Sequence, residues 1–168
     1  MPDSMNLNKS SPDKYQLIFP ICPSMTKSTE ARTFALNIFG AVVPGVAQED
    51  NEDHWQGAKI HRIVGAMDYL PYTINFLVDE EWRNWQYLYD WLALINNNKD
   101  LFTEERPDYV SDSEIIIKNN FNVAILNVSL KNMFPIDLSE VTLDQRAGEM
   151  ELECSCTFVY DYFEVTRV

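Results

Sequence analysis

Two histidines, three cysteines and several paired carboxylates are the side chains of this 168-residue chain with types suited to chemistry. His54 lies in an acidic run, Gln48 to His54, and His61 lies in an apolar stretch seven residues on. Neither has a second ligand at metal spacing, nor a nucleophile and orienting acid at triad spacing. Cys154 and Cys156 are two apart in an alternating stretch, so both face one side of a strand, at or beyond the reach of a disulfide. With Cys22 they read as buried, reduced thiols. Glu80/Glu81 and Glu104/Glu105 are adjacent in sequence, which reads as solvated surface. Five glycines leave no room for a phosphate-cradling loop. Asn127-Val128-Ser129 fits the glycosylation triplet but falls inside an expected strand. No set meets the criteria for a reacting centre, so the chain is expected to be no enzyme, with no cofactor and no metal.

The elements that must carry these residues are organised around Tyr72 to Ile95. Tyr72, Ile74, Phe76 and Val78 alternate with Thr73, Asn75 and Leu77, the period of a half-buried strand. At Asp79 the period changes. Trp82, Trp85, Leu88, Tyr89, Leu92 and Ile95 recur at helical steps and are expected to face a core. Asp79 is placed as N-cap, with Glu80 and Glu81 in the first turn, and Asn96 to Asn98 end the helix. Burying six such side chains is worth roughly 1.5–3 kcal/mol each before chain entropy. Tyr87, Trp91 and Leu94 form a second stripe, either core or an exposed patch meeting another subunit.

Around this block the sequence reads as short strands. Tyr15–Phe19 is the first, followed by a polar loop over 23–32. Phe34–Phe39 is the second, broken by Gly40, Pro44 and Gly45. Gln48–His54 holds four acids and no base, and is expected as an exposed loop. Lys59–Val64 is a third strand, closed by a turn between Gly65 and Pro71. A polar excursion spans 97–112. Ile115–Ile117 is short, and Val123–Lys131 alternates with Ala124, Leu126, Val128 and Leu130 inward. Asn132–Pro135 breaks the chain before Ile136–Leu143, whose phase slip suggests a bulge. Arg146 to Gly148 turns into the longest strand, Glu149–Phe163. There Met150, Leu152, Cys154, Cys156, Phe158, Tyr160 and Tyr162 line one face. One wet and one packed face favours antiparallel pairing.

The expected fold is therefore mainly β with one α-helix (α+β), an antiparallel sandwich or barrel with a flanking helix. Residues 1–13 are expected as a loose arm and 14–168 as a single domain. No apolar run approaches ~20 residues, so no membrane anchor is expected. The polar N-terminus lacks the apolar core of a secretory signal. With 13 basic and 26 acidic residues the net charge is −13. Such a surface repels phosphate backbones and excludes a sequence-reading nucleic-acid protein.

The order of several strings resembles the tail tube protein family of contractile-tailed bacteriophages, related to type VI secretion tube proteins. The strings are SPDKYQLIF, FALNIFGAVVPGV, INFLVDEEWRNWQYLYDW, and ILNVSLKNMFPIDLSEVTLD followed by ELECSCTFVYDYFEV. Phe134-Pro135 and Asp161-Tyr162-Phe163 match the family's aromatic-proline turn and strand ending. The resemblance spans most of Tyr15 to Val165; the acidic loop and the thiol pair depart from it. It implies a structural virion protein that self-assembles into stacked hexameric rings, the inner tail tube through which DNA is delivered. Implied partners are its own copies, the tail sheath, baseplate and tail terminator proteins, and tape measure protein and DNA in the lumen without sequence-specific binding. Implied location is the virion tail, assembled in host cytoplasm. A baseplate tube-initiator or tail-completion protein of the same fold is the alternative. A third reading, of another class, is a monomeric barrel holding a small apolar ligand behind Met150, Leu152, Phe158 and Tyr160. In the family, the region corresponding to Val42–Trp55 reaches the adjacent ring, which makes Val43, Pro44, Val46 and Trp55 the inter-ring candidates.

Overall fold

The computed structural model describes residues 9–20, 31, 32, 34, 35, 37–55, 58–97, 109–145, 148 and 150–168. The strands are β1 (Tyr15–Ile18), β2 (Ile38–Ala41), β3 (Val46–Trp55), β4 (Ala58–Tyr69), β5 (Tyr72–Leu77), β6 (Ser111–Lys118), β7 (Ala124–Leu138), β8 (Glu153–Val159) and β9 (Tyr162–Arg167). Helix α1 spans Arg83–Asn97. Every strand pair among the described residues is antiparallel. The fold is mainly β with one flanking helix, as the alternating patterns imply. No helix among the described residues is long and apolar enough to cross a membrane.

Strand β7 organises the sheets. Its first half lies between β6 and β9, with β1 beyond β6; its second half pairs with β8, followed by β5 and β2. Two four-stranded layers thus share one long strand and enclose one core. Leu17, Ile115, Val128 and Leu130 come from one layer, and Tyr72, Ile74, Phe76, Cys156 and Phe158 from the other.

The expected break at Asn132–Pro135 is a bend inside β7 instead. Asn132 takes φ 55°, a left-handed conformation that asparagine tolerates better than most residues. Its amide N–H donates to Asp112 Oδ1 at 3.0 Å, and its side-chain Nδ2 donates to Asp161 Oδ2. Pro135 sits just past the bend, where β7 has β8 as its neighbour on one side, so its missing N–H breaks no ladder.

The expected single strand Glu149–Phe163 follows β7 through the same bend and becomes β8 and β9. Val159 pairs with Phe134 and Tyr162 with Lys131, while Tyr160 and Asp161 bridge the corner. Inward parity therefore switches. Even-numbered Cys154, Cys156 and Phe158 are buried in β8, whereas odd-numbered Phe163 packs inward in β9 and Tyr162 is exposed. Met150, expected on the apolar face, precedes β8 and is 76% exposed. Ile136 and Leu143 are exposed as well. Cys154 and Cys156 are buried thiols not joined in a disulfide; Cys22 and the loop tip over 23–30 lie outside the described residues.

The first segments also shift. Phe34 and Ala35, expected in a strand, are helical together with Ala31 and Arg32, and β2 starts later at Ile38. Leu36 lies outside the described residues. Phe34 is buried against Phe19 and Phe76, so its apolar character serves the core from a helical turn.

Helix α1 begins four residues after Asp79, so Glu80 and Glu81 precede it rather than occupy its first turn. Asp79 still caps: its Oδ1 accepts from Arg83 N at 2.7 Å. The helix is rotated by Asn84, which is buried and donates through Nδ2 to Leu77 O at 2.6 Å. Asn84, Leu88 and Trp91 then face the core, and Ile95 packs against it. Trp91, expected on the flanking stripe, is fully buried, while Tyr89, expected in the core, is 53% exposed.

Two core-edge phenols set an alkaline limit. Tyr72 is fully buried, and burial, then Tyr15, raises its pKa far above the usual phenol value. Tyr160 donates to Leu70 O at 2.8 Å and is pushed up to about 12, first by burial and then by Tyr69. Both folded values lie above the ordinary 10.0. The stability tied to their neutral forms is whole below the unfolded value and is lost as pH rises through the folded ones. In an alkaline titration, phenolate absorbance and β circular dichroism should change together for the last tyrosines to ionise. Ionisation of all eight tyrosines in an intact fold would contradict this.

Candidate assembly surface

The acidic run Gln48–His54, expected as a loop, is strand β3 of a long two-stranded hairpin with β4. The expected strand Lys59–Val64 extends to Tyr69, and Gly65 is inside it rather than in a turn. On the partner strand Lys59 and His61 lie diagonally across from two of the acids. Lys59 Nζ meets Glu52 Oε2 and His61 Nδ1 meets Asp50 Oδ2, each at 2.6 Å. These exposed pairs are worth ~0–1 kcal/mol each. They set register more than stability. Register slips between Gln48 and Asp50, and Gly65 takes φ 99° in the longer strand there. That is glycine's region.

The hairpin is pinned at its base. Leu70 N donates to Gly45 O at 3.0 Å. A Cβ on Gly45 would lie 3.0 Å from Leu70 Cδ1, so a larger residue would make the exposed Leu70 side chain shift. Tyr69 anchors the base against the rings of Tyr160 and Phe163, 6.0 and 5.5 Å away. Beyond the base, β3 and β4 pair with each other and, among the described residues, with no other strand. A lone two-stranded ribbon is marginal in water.

The four candidate residues separate on this arm. Val43 and Val46 are 49% and 50% exposed at its base, whereas Pro44 between them is buried. Trp55 ends β3, paired with Ala58 at the far end. Nine residues at a strand rise put it roughly 30 Å from Val46. The structure therefore gathers Val43 and Val46 but not Pro44 or Trp55. It adds Val42, Met67 and Leu70, all exposed. Met67 and Leu70 lie between Gly65 and Pro71, which read as the bounds of a turn, and the apolar residues Ile63, Val64, Ala66, Met67 and Tyr69 show no alternation that would extend the strand.

An aromatic stack on α1 runs from the core to the surface: Trp85 packs against the core and Tyr89 is exposed. Trp85 and Tyr89 stack at 5.4 Å and 9°, and Trp82 meets Trp85 edge-on at 5.9 Å. Trp82 takes φ 58°, a conformation that costs of order 1–3 kcal/mol for a bulky residue.

His61 and Asp50 form an exposed pair on the hairpin, and Cys154 lies 3.4 Å from Ser139 Oγ, where burial raises its thiol pKa. A buried thiol held neutral is a poor nucleophile. Among the described residues no three of histidine, cysteine, aspartate and glutamate converge as a metal site. The four side chains expected to line a ligand cavity do not do so. Phe158 is packed against Phe19, Tyr72 and Trp91, while Met150 and Leu152 border an open groove of about 830 Å3. Among the described residues the surface presents a charged hairpin with an apolar base.

No family model matches the chain. It is 23% identical over 151 residues to the tail tube terminator protein of Enterobacteria phage T4, spanning 86% of this chain and 85% of that protein. The fold is shared with the tube-terminating cap of the anti-feeding prophage, at TM-score 0.65, 11% identity and coverage of 96% and 93%. It is also shared with the sheath/tube terminator of an extracellular contractile injection system, PVC, at TM-score 0.65, 12% identity and coverage of 95% and 99%. A chain of the PVC sheath–tube complex superposes at TM-score 0.60 with 11% identity, covering 97% and 95%.

Proposed function

We propose that this chain forms the ring that ends the tube of a contractile tail, a structural role without catalysis. The observation that carries this reading is the near end-to-end sequence likeness to a tail tube terminator. A main tube subunit must offer a docking face on both sides of its ring; a terminator needs one. The reading thus favours tail completion over the inner tube itself. Its partners are further copies of the chain, the last tube ring and the sheath, and its location is the virion tail. The tape measure protein and DNA would meet it only through the ring's channel. The hairpin is the natural docking element, since a lone ribbon gains order when a partner covers it.

Negative-stain microscopy of the purified chain alone and mixed with the cognate tube subunit tests this. Expected are single hollow rings that do not stack alone and that halt tube growth from one end. Long tubes from the chain alone would identify the main tube subunit instead. A monomer at every concentration, with and without tube subunits, would end the assembly reading. Within that assay, Val43→Asp and Val46→Asp should abolish docking onto tubes while changing monomer stability by no more than ~0.5 kcal/mol, as surface positions do. Unchanged tube capping by both variants would remove the hairpin base from the interface.

A further inference from the structure

We infer that the β6–β7 turn is a second docking element, an apolar knob in a basic collar, and that it seats in an apolar socket rimmed by carboxylates on a protein other than the tube subunit. This goes beyond the terminator proposed above and rests on it only for the choice of partner.

Residues 119–123 join β6 to β7. Asn119 Oδ1 accepts from Phe121 N at 2.9 Å and from Val123 N at 3.0 Å. Asn119 N donates to Val123 O at 2.9 Å, and Asn122 takes φ 59°. Asparagine suits both positions, through its side-chain acceptor and its tolerance of left-handed backbone. The turn is thus held by its own polar groups, and none of those bonds calls for an aromatic side chain at the tip. Phe121 is nevertheless 80% exposed. Val123, Ile125 and Val168 are exposed as well, and Val168 N donates to Ile125 O at 3.2 Å, which brings the end of β9 to the same place. Clustered apolar side chains that the core does not use mark a contact surface. An aromatic anchor already fixed by its turn loses little freedom on docking.

The collar follows from the strands that flank the turn. Lys118 N donates to Lys14 O at 2.8 Å, Asn120 Nδ2 donates to Lys9 O at 3.4 Å, and Arg167 pairs with Leu126. Segments 9–18, 115–128 and 165–168 hold these four cations and one acid, Asp13, which Lys14 meets at 3.3 Å. Four cations less one acid leave +3 here, on a chain of net charge −13. Charges are screened beyond ~8 Å at physiological salt, so a docking partner meets the local charge and not that of the whole chain. Complementarity then asks for carboxylates around the socket. The hairpin base is elsewhere. Tyr69 packs on Phe163, which pairs with Leu130, and Ile125 is five residues, roughly 17 Å, further along β7. The acidic hairpin of another copy would also suit the collar, but that contact stacks rings into a tube, which a terminator does not do.

The test uses the full chain in purified tail particles, with p-benzoylphenylalanine in place of Phe121 or, separately, of Val43. Ultraviolet light joins the ketone to its neighbour, and mass spectrometry identifies the joined peptide. Expected at position 121 is a peptide rich in Asp and Glu from a protein that is neither the tube subunit nor this chain; expected at position 43 is the tube subunit. Lys14→Glu together with Lys118→Glu should lower the yield at 121 about tenfold, because like charges then meet, and leave the yield at 43 unchanged. The tube subunit, another copy of this chain or no protein at 121, with the tube subunit still found at 43, would overturn this inference and leave the terminator standing. A joined peptide from another copy's hairpin would mean stacked rings and overturn both. A yield at 121 indifferent to the charge reversal would overturn the acidic partner. Particles that lack the chain would overturn the terminator, and this inference with it.

Discussion

Replacing Trp91 by alanine is expected to destabilise the monomer by ~3–5 kcal/mol, read as a lowered midpoint in denaturant unfolding at unchanged slope. Trp91 is fully buried, packs at 6.0 Å on Phe158, and donates Nε1–H to Tyr109 O at 2.6 Å. Alanine removes the ring and leaves both a void in the core and a carbonyl without its donor. Trp91→Phe keeps most of the volume and should lose about 1 kcal/mol for the hydrogen bond. Tyr89→Ala, two residues earlier, should cost no more than ~1.5 kcal/mol, because it removes one stacked contact from a half-exposed ring. Equal losses at Trp91 and Tyr89 would mean that the helix is rotated differently from the structure described.

Asn84→Ala is the second large effect, ~2–4 kcal/mol from orphaned groups at ~1–3 kcal/mol each. Asn84 is 2% exposed. Its Nδ2 donates to Leu77 O at 2.6 Å, and its Oδ1 accepts from Asp79 N at 3.2 Å and Trp85 N at 2.8 Å. One side chain thus closes the end of β5 onto the start of α1. Denaturant unfolding of Asn84→Ala at unchanged slope reads this loss; a loss no larger than that of a surface substitution would leave Asn84 as filler rather than as a polar tie.

The two tests address the same feature of the sequence. Arg83 to Asn97 carries aromatic and aliphatic residues on two stripes, and periodicity alone does not rank them. The stripe with more tryptophans was expected inward. The buried line takes Leu88 and Ile95 from that stripe and Trp91 from the other, and it starts at Asn84, a polar residue that an apolar-pattern search passes over. Its role depends on Leu77 and Asp79, which come close because the turn before the helix includes Trp82 in a left-handed conformation.

The hairpin repeats the lesson. Four acids in seven residues read as loop because their partners are invisible until β4 pairs with β3. Only the register brings Lys59 diagonally to Glu52 and His61 diagonally to Asp50. Surface exposure, by contrast, was legible at once, since such a run has no way to enter a core.

The sequence by itself determined the class of fold, the antiparallel pairing and most of the buried set. Tyr72, Ile74, Phe76, Leu88, Val128, Leu130, Cys154, Cys156 and Phe158 follow directly from two local periods, and local periods are set by backbone geometry alone. The tertiary structure decided where those periods change phase. At Asn132 and Asp161 two paired strands bend together and exchange their inward parity, which turns Phe163 against the core and exposes Tyr162. It also decided that the acidic run is an arm, and that Lys9, Lys14, Lys118 and Arg167 come together beside one turn. Each of these depends on which residues meet across strands far apart in the chain, and pairing between distant segments leaves no periodic trace within either one.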